Sequence, residues 1–348
     1  MIKRLAKQVV ERALPLSLCR RFCRRNLTVL YYHIVSDETL PHVRHLYPFK
    51  TTAEFDLDLQ HLVKYFQPIS YEDLLAARHR DNLPPRSVLV TFDDGYAEHY
   101  SVVKPILKNR GVPCIFFVTT DFIGNDRLFY RNKASLCIDK AMSLDKGDWK
   151  RAAGEIQKVS GVCLPSSRAF SRWIDDIGMY DEDAVNVIDM ACATLSIDEK
   201  QFLDHRRPYM TLEQIRELAG DGFTIGSHGQ SHAPLFCCDR ETIAREIVES
   251  SELVRQWTGQ QQVPFAFPYS AADIDREFLA DILANHDFIQ FLFGTDGFKL
   301  DEPFLLNRVW LDAPGRGSES NVPHALVNAY MKLVLSRCWP AATQCRRS

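Results

Sequence analysis

A parallel α/β fold is the class this sequence predicts, and three features predict it. Short apolar runs of strand character recur at 27–32, 87–92, 112–119, 223–226, 264–267, 288–293 and 304–310. Helical periodicity fills most of the gaps between them. Chemistry-bearing residues gather just after two of the runs, at the strand ends where side chains of α/β enzymes converge on substrate. Composition and periodicity leave an α/β barrel and a doubly wound sheet both open.

Taken in order, the chain opens with a basic amphipathic segment, residues 1–26. Ile2, Leu5, Ala6, Val9, Val10, Ala13 and Leu14 recur at helical spacing, with Lys3, Arg4, Lys7 and Arg12 on the other face. Pro15 interrupts the pattern, and Arg20, Arg21, Arg24 and Arg25 follow as a basic cluster. Such a helix lies on an anionic membrane surface or packs on the rest of the protein, and periodicity does not choose between them. The core domain spans 27–312. Within it, residues 52–66 bring Phe55, Leu59, Leu62, Val63 and Phe66 near one helical face, and 241–257 does the same with Ile243, Ile247, Val254 and Trp257. Residues 124–210 break the alternation with mostly helical, charged sequence that includes Trp149 and Trp173. This stretch is expected to be an insertion whose ends emerge near the catalytic face, as a lid or recognition subdomain, with a peripheral elaboration as the plainer alternative. The C-terminal tail, 313–348, carries a final helix with Ala325, Leu326, Ala329, Leu333 and Val334 apolar.

Hydrophobic residues make up 46% and charged residues 25% of the 348, enough for a large core and unlike a disordered chain. The net charge of -3 supplies no global basic field, which argues against a nucleic-acid partner. Ten cysteines without CxxC pairs read as reduced thiols. The sequence holds neither a long uninterrupted apolar run nor a secretory h-region, so a cytoplasmic location, with peripheral contact at the inner membrane face, is the expectation.

Two motifs carry the chemistry. Thr91-Phe92-Asp93-Asp94-Gly95 and Ser227-His228-Gly229-Gln230-Ser231-His232 each follow an apolar run and each contain glycine. Alone, an Asp-Asp-Gly is a turn with a helix N-cap, and two histidines four apart are ordinary surface or core residues. Together they supply three nitrogen and oxygen ligands, Asp94, His228 and His232, for one divalent metal with a position left open, and a spare carboxylate, Asp93, as general base. Zinc is the first choice of metal, with cobalt, nickel or manganese as alternatives.

These motifs resemble those of the polysaccharide deacetylase family, also called the NodB-homology domain or carbohydrate esterase family four, from about Leu27 to about Leu311. The resemblance implies a distorted, incomplete (β/α) barrel. It gives Asp93 the role of base, Asp94, His228 and His232 those of metal ligands, and the Tyr269 amide, in Phe265-Ala266-Phe267-Pro268-Tyr269, that of an oxyanion donor. Two departures stand out. The arginine that many members carry two residues before the third-motif proline is Ala266 here, with Arg308 as its substitute. No Leu-x-His motif supplies a general acid, so His33, in Leu30-Tyr31-Tyr32-His33, takes that role ahead of His286 and His324.

The implied reaction is metal-assisted hydrolysis of an N-acetyl or other small N-acyl group on a sugar of a glycan or glycan precursor, nucleotide-linked or lipid-linked. An O-acetyl esterase and a non-catalytic glycan-binding protein are the rivals.

Overall fold

The computed structural model describes residues 26–177, 182–315 and 319–338. The basic segment anticipated at the N-terminus therefore lies, but for Asn26, outside the described residues, as does the end of the C-terminal tail. Among the described residues no helix is long and apolar enough to cross a membrane.

Nine strands form one parallel sheet among these residues: β1 (Leu27–Tyr32), β2 (Gln67–Pro68), β3 (Ser87–Phe92), β4 (Cys114–Val118), β5 (Thr224–Ser227), β6 (Phe265–Ala266), β7 (Leu292–Gly294), β8 (Leu305–Asn307) and β9 (Val309–Trp310). The order runs β8-β7-β6-β5-β4-β3-β1-β9, with β2 added beside β3. One extended stretch thus supplies both ends of the sheet. Its first half pairs with β7 and its second with β1, which curls the sheet into a barrel, and the handover at Arg308 leaves one open seam. Helices surround the sheet, as parallel connections require.

Buried side chains of Val29, Leu89, Ile115, Phe117, Ala266, Phe293 and Leu306 make one cluster drawn from six strands, the packed centre of the barrel. Gly226 takes part by having no side chain. A Cβ there would stand 2.4 Å from the Phe117 ring and 2.9 Å from the Pro264 carbonyl oxygen.

The apolar periodicity expected at 52–66 becomes the helix Thr52–Tyr65, started by a capping box in which Thr51 and Glu54 bond each other's amides. The run 288–293 is strand only from Leu292. Phe288 and Ile289 are buried beside a turn in which the Ile289 amide bonds the His286 carbonyl, so their apolarity reflects packing rather than extended pairing.

Between β4 and β5 the described residues form six α-helices, Tyr130–Ser143, Lys146–Ser160, Ser167–Asp176, Glu182–Thr194, Glu199–Arg206 and Leu212–Gly220. Phe129, Tyr130, Ile138, Ile156, Phe170, Ile174 and Ile188 pack a separate core there, which also takes Ile34, Leu40 and Val43 from the segment after β1. That shared core brings helical residues over the C-terminal end of the barrel.

Candidate metal centre and catalytic cleft

Every sequence-predicted site residue except Arg308 lines a single cleft of roughly 380 Å³ at the C-terminal ends of the strands, and Arg308 lies directly beneath it. The barrel explains the convergence. Asp93 is the first residue after β3 and its amide bonds the Tyr32 carbonyl of β1. His228 is the first after β5 and its amide bonds Val118 of β4.

Asp94, His228 and His232 offer three ligand atoms that all lie within 4.8 Å of one another. His228 Nε2 stands 3.6 Å and His232 Nε2 3.2 Å from Asp94 Oδ1, close to the roughly 3.3 Å edge of a tetrahedral zinc site. His228 donates from Nδ1 to the Ala266 carbonyl at 2.8 Å, which fixes the tautomer and leaves Nε2 with a free lone pair. Burial pushes its pKa down to about 4, keeping it neutral. Burial opposes ionisation of Asp94, but His232 first, then His33 and His228, hold it below the usual carboxylate range. Asp94 Oδ1 is buried and accepts no hydrogen bond among the described residues, while Oδ2 receives the Tyr47 hydroxyl at 3.0 Å. An orphaned carboxylate oxygen facing two imidazole nitrogens fits a divalent cation, because the same group left bare would carry an unpaid desolvation cost.

The loop between the two histidines is pinned from outside. Glu246 accepts the Gln230 amide at 2.6 Å, the Ser231 amide at 3.3 Å and the Ser231 hydroxyl at 2.7 Å. Asp94, His232 and Tyr269 all adopt positive φ, at 79°, 61° and 59°. For non-glycine residues this costs on the order of 1–3 kcal/mol each, and all three positions face the cleft.

Asp93 is buried and receives both arms of Arg308, at 2.6 Å and 2.8 Å. Arg308 is itself fully buried. It donates to Thr91 Oγ1 at 3.1 Å and to the Gly294 carbonyl at 3.2 Å, and it sits over the Tyr31 and Phe117 rings at 4.7 Å and 5.2 Å. Burial works against the Asp93 charge, but Arg308, with help from His228 and His33, more than offsets it, so the carboxyl stays below its ordinary range.

His33 donates from Nδ1 to Asp312 and stacks on Tyr47 with ring centroids 4.4 Å apart. Asp312 also accepts the His33 amide at 2.8 Å and the Trp310 indole. Burial pulls the His33 pKa down, but Asp312, followed by Asp94 and Asp93, carries it up to about 9. His99, held neutral by burial with its pKa down to about 4, donates from Nε2 to the His33 carbonyl at 2.7 Å. By contrast, His286 is a helix C-cap and His324 lies in the final helix, and neither lines the cleft.

Sequence reasoning missed Asp312, Tyr47, His99, Glu246, Phe129 and Arg131. Asp312 had a signal, since it stands two residues past β9 at the same end of the barrel as the paired acids. Tyr47 had none, because it sits in a segment without period.

The polysaccharide deacetylase profile matches residues 80–155 and 183–287, over half of the chain, and this protein belongs to that family. The matched stretches hold Asp93, Asp94, His228, His232 and Tyr269 but not His33, Arg308 or Asp312. No curated protein matches. Among solved structures, the chain is similar to the Streptococcus pyogenes deacetylase PplD in complex with acetate, at 16% identity and TM-score 0.53, covering 87% of this chain and 97% of that one. It is also similar to IcaB from Ammonifex degensii, at 17% identity and TM-score 0.51, covering 88% and 97%. At these identities the likeness establishes the shared barrel fold.

Proposed function

We propose that this protein hydrolyses an N-acetyl, or another small N-acyl, group on a sugar of a glycan or glycan precursor, using one divalent metal held by Asp94, His228 and His232. The observation that carries the reading is the buried Asp93 carboxylate, locked by Arg308, beside three ligand atoms that face one another. The donor set of two imidazoles and a carboxylate suits zinc, with cobalt, nickel or manganese able to occupy the same ligands. When bound, the metal supplies Lewis acidity to the acyl oxygen and lowers the pKa of its water.

The chain's own residues do the rest. Arg308 occupies two of the four lone-pair sites of Asp93 and leaves the others to take a proton from the attacking water. The Tyr269 amide donates to the oxyanion of the tetrahedral adduct. His33, protonated at neutral pH because Asp312 faces it, gives its proton to the departing nitrogen. The amide C–N bond breaks, a carboxylic acid and a free amine leave, and the proton held by Asp93 returns to His33 or to solvent. An amine leaving group requires such an acid, which favours N-deacylation over O-deacylation. Aromatic side chains of Tyr31, Tyr47, Tyr96, Phe129 and Phe267 wall the cleft and offer faces for a sugar ring.

The test is a mass-spectrometric screen of acetylated sugars and glycan precursors with zinc-loaded protein. The expected result is loss of one acetyl mass with the wild type, none with Asp93→Asn at full metal occupancy, and no metal with His228→Ala. Stoichiometric metal without release from any N-acetylated sugar would refute the enzyme, and release confined to O-acetyl sugars would refute the amide assignment.

A further inference from the structure

One wall of the cleft comes from outside the barrel. Phe129 and Arg131, at the start of the helix Tyr130–Ser143, line it, and the Phe129 ring lies 4.7 Å from that of His232. Arg131 is the one lysine or arginine among the lining residues. Its neighbours in sequence spend their charge within the protein: Arg127 pairs with Asp121 at 3.2 Å, and Lys133 with Asp189 at 2.9 Å and Glu199 at 2.7 Å. Arg131 has no carboxylate within 4.0 Å among the described residues. Asp175 shares a small side slot with it, outside ion-pair distance but close enough for the Arg131 charge to oppose the upward push of burial on its carboxyl. That slot, lined also by Tyr130 and by apolar side chains such as Leu46, Ile138 and Ile174, holds a volume of only about 10 Å³, too little for a substrate group. The half-buried Arg131 lines the cleft together with Tyr269, whose amide is the oxyanion donor of the reading above.

An unpaired guanidinium between apolar side chains binds planar or tetrahedral oxyanions through two parallel N–H donors, and it gains more there than in bulk water. We propose that Arg131 forms an anion subsite of the catalytic cleft, so that the preferred sugar carries a carboxylate or a phosphate ester near the acyl group. This rests on the glycan-hydrolase reading above and narrows its substrate class. The metal ligands and His33 read the acyl group, and Arg131 reads the charge of its carrier.

The experiment is calorimetric binding of N-acetylglucosamine, N-acetylglucosamine 1-phosphate and N-acetylmuramic acid to the zinc-loaded full chain, as wild type, R131K and R131Q. Wild type should bind at least one of the charged sugars about tenfold or more tightly than the neutral one. Which of the two gains identifies phosphate or carboxylate. R131Q should lower affinity for that charged sugar about tenfold more than for the neutral one, with R131K in between. Equal affinity for charged and neutral sugars in the wild type would overturn the subsite. So would a charge preference that survives in R131Q, which would assign the anion to the metal or His33. Acetate release is followed separately: its absence from all three sugars with the Arg131-dependent preference intact would support the subsite while counting against the deacetylase reading.

Discussion

Replacing Asp312 by asparagine isolates the group that makes His33 an acid. In the native protein the His33 pKa is pushed from 6.5 up to about 9, against burial, chiefly by the Asp312 carboxylate at Nδ1 and then by Asp94 and Asp93. That displacement corresponds to roughly 3 kcal/mol of preference for the protonated ring in the folded state. Asparagine keeps an acceptor but removes the charge, so burial regains the upper hand and the pKa falls toward or below 6.5. The assay is a proton NMR titration of metal-free protein, with the His33 signal identified by its loss in His33→Gln. Stability supplies a second readout. Because the folded pKa is raised, the His33 contribution is complete below pH 6.5 and disappears as pH rises through 9. Urea unfolding should therefore separate wild type from Asp312→Asn widely at pH 6 and much less at pH 10. A wild-type His33 that titrates near 6.5, or a variant that leaves its pKa unmoved, would refute the reasoning.

Arg308→Lys replaces a two-armed donor with a point charge and loses one contact to Asp93. Turnover should fall about 100-fold with metal stoichiometry unchanged, measured by acetate release and metal analysis, and near-normal turnover would remove Arg308 from the mechanism. Lys50 and Asp58 form a fully buried pair at 3.0 Å that also gathers the Tyr32 hydroxyl, the Ser320 hydroxyl and the Asn321 amide, while Lys50 donates to the Ala313 carbonyl next to Asp312. Lys50→Met strands the carboxylate and should cost about 3–5 kcal/mol by denaturant unfolding; a loss under about 1 kcal/mol would contradict the burial argument.

The metal ligands and the base were legible because each follows a strand whose apolar run is itself legible, and parallel strands bring their C-terminal ends together. Ser87 to Phe92 is uniformly buried, as its composition suggests, and Asp93 is then delivered by chain order alone. The identity of the helical wall was not legible in that way. Arg131 belongs to a helix whose burial is set by packing on Ile34, Leu40 and Val43, contacts that no local period encodes. Asp58 and Lys50 were hidden for a related reason. Each reads as an ordinary surface charge until the segment around Ser320 and Asn321 folds over it. Sequence therefore reports what a strand delivers at its own end more readily than what a distant segment adds later.

Arg308 joins these two levels. Its position between β8 and β9 is where the sheet changes partners, with its amide bonded to the carbonyl of Gly294, the last residue of β7, and its own carbonyl accepting the Gly297 amide. A regular strand would continue one ladder; here the pairing passes from β7 to β1, and the side chain at the handover reaches across the barrel centre to Asp93. The residue two positions after β9, Asp312, then holds His33, which follows β1. Closing the barrel and orienting the base and the acid are thus one event along seven residues of chain, 306–312.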